Sequence, residues 1–125
     1  MKRLFSVVLA LLLAVQLPAR VKLPAVLGSN MVLQRNAEVN FWGEASPRSR
    51  VRVTASWDGR THETRADASG RWALKLPTGE AGGPYTVTLS DGEPLVLDNV
   101  LVGEVWVCSG QSNMEMPVSG FMFQP

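Results

Sequence analysis

The chain is poor in the residues from which many enzymes assemble their sites. Its 125 residues include one cysteine, Cys108, and one histidine, His62. A single cysteine excludes any disulfide within the chain. One Cys and one His, far apart in sequence, cannot supply the three or four ligands of a zinc site. No glycine-rich loop leading to a lysine offers a phosphate cradle. Neither a metal nor a cofactor is therefore expected. A basic excess is lacking too: 12 Lys and Arg stand against 11 Asp and Glu, a net charge of +1. Phosphate backbones require concentrated positive surface, so nucleic acid is not expected as a partner. No asparagine begins an Asn-x-Ser/Thr acceptor site.

A hydrophobic run does open the chain. Lys2 and Arg3 precede the uncharged "LFSVVLALLLAVQL", and "LPAR" follows with a small residue, Ala19, before a possible cleavage point. This order reads as a secretory signal peptide over residues 1–20. The apolar run is shorter than the roughly 20 residues of a membrane helix, and Pro18 ends it. An uncleaved anchor is the alternative; processing would leave a secreted or periplasmic protein with no membrane anchor. In an oxidising compartment a domain with one cysteine must be held by its apolar core.

From residue 21 to about 98 short β-like runs alternate with turn residues: "AEVNFWGEAS", "RSRVRVTASWDGRTHETRA", "GRWALKLP", "GPYTVTLS" and "EPLVLDNV". Strands at this spacing predict a mainly β fold, an antiparallel β-sandwich of jelly-roll or immunoglobulin-like type. Asp58 and Gly59 suit a two-residue type I′ turn. That turn would set Trp57 against Arg60, Ala55 against His62 and Val53 against Thr64. Val51, Val53, Ala55 and Trp57 would form the apolar face, with His62 on the same side. Arg48, Arg50 and Arg52 alternate toward solvent. Trp42, Trp57 and Trp72 are evenly spaced, but their surroundings do not repeat. They are read as core residues, with a sugar-stacking platform as the alternative.

Near residue 99 the pattern changes. "VLVGEVWVC" is nearly continuous apolar sequence, broken by Gly103 and Glu104, and predicts a strand buried on both faces of an α/β sheet. Residues 99–125 would thus begin a second domain. Cys108 reads as an inert core thiol. After the strand, Gly110 permits a sharp turn and Ser112 follows two positions later. Ligands bind at such carboxyl ends in open α/β sheets. A serine at a first helical turn meets unpaired N–H groups that favour an oxyanion. The spacing approaches the Gly-x-Ser-x-Gly nucleophile elbow, but Met114 holds the final position. A helix cap at Ser112 or Ser109 explains the same residues equally well. Glu115 reads as a first-turn carboxylate.

"GEVWVCSGQSNMEMP" resembles the nucleophile block of the sialate O-acetylesterase family, a branch of the SGNH hydrolases, with "GQSNM" its most specific part. "LPAVLGSNMVLQR", "FWGEASP" and "ADASGRWALKLP" are similar to the β-sandwich region that precedes this block. The resemblance implies the N-terminal part of a secreted carbohydrate O-acetylesterase acting on an acetylated sugar through a serine acyl-enzyme. It makes Ser112 the nucleophile and an oxyanion donor through its own N–H, with Gly110, Gln111 and Asn113 supporting the site. It also implies a base and its orienter, in a late Asp-x-x-His, and further oxyanion donors, none found up to Pro125. The chain alone is then expected to be inactive. A non-catalytic carbohydrate-binding or interaction module is the rival reading. Oligomeric state is left open.

Overall fold

The computed structural model describes residues 20–115; the expected signal segment up to residue 19 and the sequence after Glu115 lie outside them. Seven strands carry the fold: β1 Val32–Gln34, β2 Glu38–Glu44, β3 Arg50–Ala55, β4 Thr61–Arg65, β5 Arg71–Pro77, β6 Gly82–Ser90 and β7 Pro94–Gly103. One short helical turn, α1, spans Ser112–Glu115. The expectation of a mainly β fold holds. Five strands form one sheet in the order β1-β7-β6-β3-β4, and β2 pairs with β5 in a separate ribbon. All neighbours are antiparallel except β1 and β7, which run parallel.

Period-two alternation decides what is buried. On β3, Val51, Val53 and Ala55 are wholly buried while Arg50 and Arg52 face water. Both arginines pair there with Glu63 across the β3–β4 ladder. Arg48 lies before the strand in a left-handed conformation, φ 60°. The ribbon alternates likewise: Phe41, Trp72 and Leu76 point inward and join Val53, Val87, Leu89 and Val100 in one core. Gly43 opposes Trp72 on that inner side. A Cβ at Gly43 would strike the backbone carbonyl of Lys22, which accepts from Glu44 N–H at 2.9 Å. A glycine inside this strand thus lets the incoming chain lie against the ribbon.

The β3–β4 hairpin forms at the expected place with a different register. Val53 faces His62 and Thr54 faces Thr61, so six residues, 55–60, lie between the last paired positions. Other strands capture the residues that a tighter turn would need. Ser56 N–H donates to Thr86 O at 2.9 Å, and Trp57 Nε1 donates to Pro77 O at 3.1 Å. Gly59, at φ 67°, supplies the left-handed residue, and the Asp58 carboxylate caps Arg60 N–H. The shift is two residues, an even number, so His62 keeps the core-facing side expected from strand alternation.

The position near residue 99 where the sequence pattern changes lies inside β7. Leu97, Val100 and Val102 are buried, but Asp98 and Asn99 are both exposed. The β6–β7 register slips by one between Val87↔Leu97 and Tyr85↔Val100, and slips back before Gly82↔Val102. This is a β-bulge, with Asn99 at φ 53° as its left-handed residue. The apparent change of pattern is a change of phase within one strand. Residues 99–103 belong to the first sheet.

Asp67 organises the β4–β5 turn. Its Oδ1 accepts from Ser69 N–H, Ser69 Oγ–H and Arg71 N–H at 2.7–2.9 Å. The Ser69 hydroxyl first, and then the Arg71 N–H, hold its carboxyl below the usual carboxylate value. A depressed folded-state pKa contributes stability above the unfolded value, and that contribution is lost as pH falls through the folded one. Asp67→Asn is therefore expected to melt below the parent at neutral pH. The gap should narrow on acidification below about pH 4, the ordinary carboxylate range. Melting temperatures of both chains across the acid limb check this, and parallel curves would contradict it.

Candidate functional site

The ladder that carries β7 ends at Gly103, where β1 also ends. Beyond it residues 104–110 have no regular structure. Val105 is 46%, Trp106 84% and Val107 91% exposed. The doubly buried strand expected through Cys108 is thus corrected: among the described residues no strand flanks this segment after Gly103. Cys108 is exposed and is not a core thiol.

The chain then turns. Gly110, Gln111 and Ser112 are exposed, and Ser112 opens α1. Met114 N–H donates to Gln111 O at 2.9 Å, closing the turn around the serine. A Cβ on Gly110 would come within 3.0 Å of Met114 Cγ, a contact that a small shift of the methionine side chain relieves. Asn113 lies in the same backbone turn, and Glu115 is an acid within it. The four residues singled out from sequence are therefore contiguous in one solvent-facing turn.

No acid or base among the described residues hydrogen-bonds the Ser112 hydroxyl. His62 sits on β4, separated from β7 by β3 and β6. With strands about 4.8 Å apart, that places it about 14 Å across the sheet from the strand leading to the serine. Its Nε2 is buried without a hydrogen-bond partner. Nor do His, Cys, Asp and Glu side chains gather into a metal-ligating group among the described residues.

The tryptophans do not share a face. Trp72 is in the core, Trp57 is half-buried with its ring edge-on to Tyr85 at 5.6 Å, and Trp42 points outward from the ribbon. Clefts of about 410 and 440 Å³ lie beside Trp42 and Trp57. Residues 104–115 line neither of them.

Sequence reasoning missed the polar group at the root of this segment. Gln34 and Arg35, at the end of β1, both bind the Glu104 carboxylate, at 2.9 and 2.6 Å. The available signal was the charge at Glu104, alone in an otherwise apolar run. The Gln34 amide first, then the Arg35 guanidinium, hold the Glu104 carboxyl below its ordinary range.

No protein-family model matches the chain. Curated proteins are similar to it over most of its length, two of them as follows. A sialate O-acetylesterase from Mus musculus is 31% identical over 92% of this chain and 24% of its own length. The sialate O-acetylesterase of Homo sapiens is 33% identical over 74% of this chain and 20% of its own. The chain thus spans about a quarter of the relatives it matches. In structure it is similar to a carbohydrate acetylesterase from Xanthomonas citri. The TM-score is 0.71 and the identity 40%, over 80% of this chain and 23% of that one.

Proposed function

Since the chain belongs to the sialate O-acetylesterase-like family, we propose that it forms the N-terminal part of a carbohydrate O-acetylesterase with Ser112 as its nucleophile. In this reading the two sheets are the faces of a β-sandwich, and an SGNH hydrolase domain begins after Gly103, where the ladder ends. The observation that carries the reading is the exposed, glycine-hinged turn bearing Ser112 directly beyond that ladder.

The chemistry follows from what a serine needs. Ser112 Oγ attacks the acetyl carbonyl carbon while its proton passes to a base, because a free hydroxyl is a poor nucleophile. The Ser112 N–H donates to the oxyanion that develops. Collapse expels the sugar oxygen, which leaves protonated by that base, and the acetyl group stays on Ser112. Water then releases acetate and restores the serine. The base is supplied from outside this chain, since the lone imidazole is on the wrong strand.

Grafting residues 20–115 in place of the matching segment of the Xanthomonas acetylesterase tests the proposal. Acetate release from an acetylated sugar that depends on Ser112 is expected, whereas the chain alone should not turn over p-nitrophenyl acetate. Release from the graft that persists without Ser112 would refute the assignment. We further propose that the protein is exported and cleaved near Ala19 or Arg20. N-terminal sequencing of the exported product should find a start there, and intact Met1 in the membrane fraction would contradict it.

A further inference from the structure

The segment that leads to Ser112 is fixed at one point after it leaves the sheet. Arg35 N–H donates to Gly103 O at 2.8 Å, continuing the β1–β7 pairing by one step. The next residue, Glu104, accepts from Arg35 Nε at 2.6 Å on one oxygen and from Gln34 Nε2 at 2.9 Å on the other. The next, Val105, donates its N–H to Gln34 Oε1 at 2.9 Å. One glutamine side chain thus holds two successive residues of the departing chain, donating to the first and accepting from the second. Arg35 is oriented in turn by Glu80, at 3.4 Å, which also accepts from Asn36 Nδ2 at 3.0 Å. Beyond Val105 the exposed Trp106 and Val107 make no comparable contact among the described residues.

We propose that Gln34, Arg35 and Glu104 form a clamp that sets the direction in which residues 104–115 leave the β domain, and that they are positioning residues for Ser112. The proposal rests on the reading of Ser112 as nucleophile. Every member of the clamp is partly or wholly exposed, and exposed ion pairs add little to global stability. The network's contribution lies in orientation. Both carboxylate oxygens are used, and the two donors approach from successive residues of one strand end, which leaves Glu104 little angular freedom. The direction of Val105 then follows from the Gln34 carbonyl. A misplacement near 1 Å at a nucleophile costs about a hundredfold in rate, so a fixed point at Val105, about seven residues upstream, matters to chemistry. The charged groups facing Glu104 are Arg35 from the end of β1 and, behind it, Glu80 from the β5–β6 connection.

Two measurements test the clamp. In ¹⁵N relaxation on the whole chain, the amides of Glu104 and Val105 should be as ordered as those of β7. Gln34→Ala and Glu104→Ala should loosen them to the level of residues 107–109, while the melting temperature stays nearly unchanged. Acidification through the Glu104 titration should reproduce that loosening. In the grafted acetylesterase, Arg35→Ala should lower kcat about tenfold to a hundredfold with KM within about twofold, and Arg35→Lys should recover part of it. Relaxation that is unaltered in the variants overturns the clamp. Loosened amides with kcat unchanged overturn the positioning role. Hydrolysis that ignores Ser112→Ala refutes the nucleophile reading instead, and is recognisable because the relaxation result stands apart from it.

Discussion

Replacing Phe41 with alanine should destabilise the β domain by about 3–5 kcal/mol, the usual cost of removing a buried phenylalanine. The ring has no solvent exposure and lies on the inner face of β2, opposite Leu74. Among the described residues it is the largest wholly buried side chain, in a core shared by the two-stranded ribbon and the five-stranded sheet. Neighbouring Val and Leu side chains are held by their own ladders, so the space cannot simply close. Domains of this size are stable by about 5–15 kcal/mol, so the loss removes between about a fifth and all of that. Each kcal/mol shifts the midpoint by about 4–8 °C, which gives a fall of at least about 12 °C. Thermal and urea unfolding of both chains decide it. A loss below about 1 kcal/mol would mean that the ribbon contributes little to a shared core.

The largest functional effect is expected at Ser112. In the graft with the Xanthomonas enzyme, Ser112→Ala should lower acetate release by about 10⁴-fold or more, because nucleophile, base and oxyanion donors act as a unit. Substrate binding should change little, since the hydroxyl adds one contact to a sugar held mainly elsewhere. Gln111→Ala and Gly110→Ala report on the turn itself. Activity within about tenfold of the parent after Ser112→Ala would assign the chemistry to another residue.

Much of the β domain is legible in the sequence because alternation and turn residues are local signals. Val51, Val53 and Ala55 alternate with arginines, and the structure buries and exposes them accordingly. β1 was not legible: three residues long, it owes its existence to a parallel pairing with β7, far away in sequence. The hairpin register was missed because Ser56 and Trp57 are claimed by β6 and the end of β5, contacts that no local pattern encodes. At Asn99 a phase change looked like a change of architecture, since an apolar run after a bulge resembles the start of a buried strand. At the site, contiguity made Gly110, Gln111, Ser112 and Asn113 readable together, and the family resemblance singled out the serine. Gln34 and Arg35 became visible only when β1 was laid beside Gly103, about seventy residues on.

The bulge at Asp98 and Asn99 resets which side chains at the end of β7 look inward, while a second shift on the β6 side restores the register by Gly82↔Val102. Side chains on a strand alternate strictly, so one extra residue swaps which of the following positions look inward. With the extra residue present, Val100 and Val102 seal the core and Leu101 and Gly103 fall on the other parity. Deleting Asn99 would exchange the two sets. One residue thus decides which side chains at the end of β7 pack against the core and which face water, some dozen positions before Ser112.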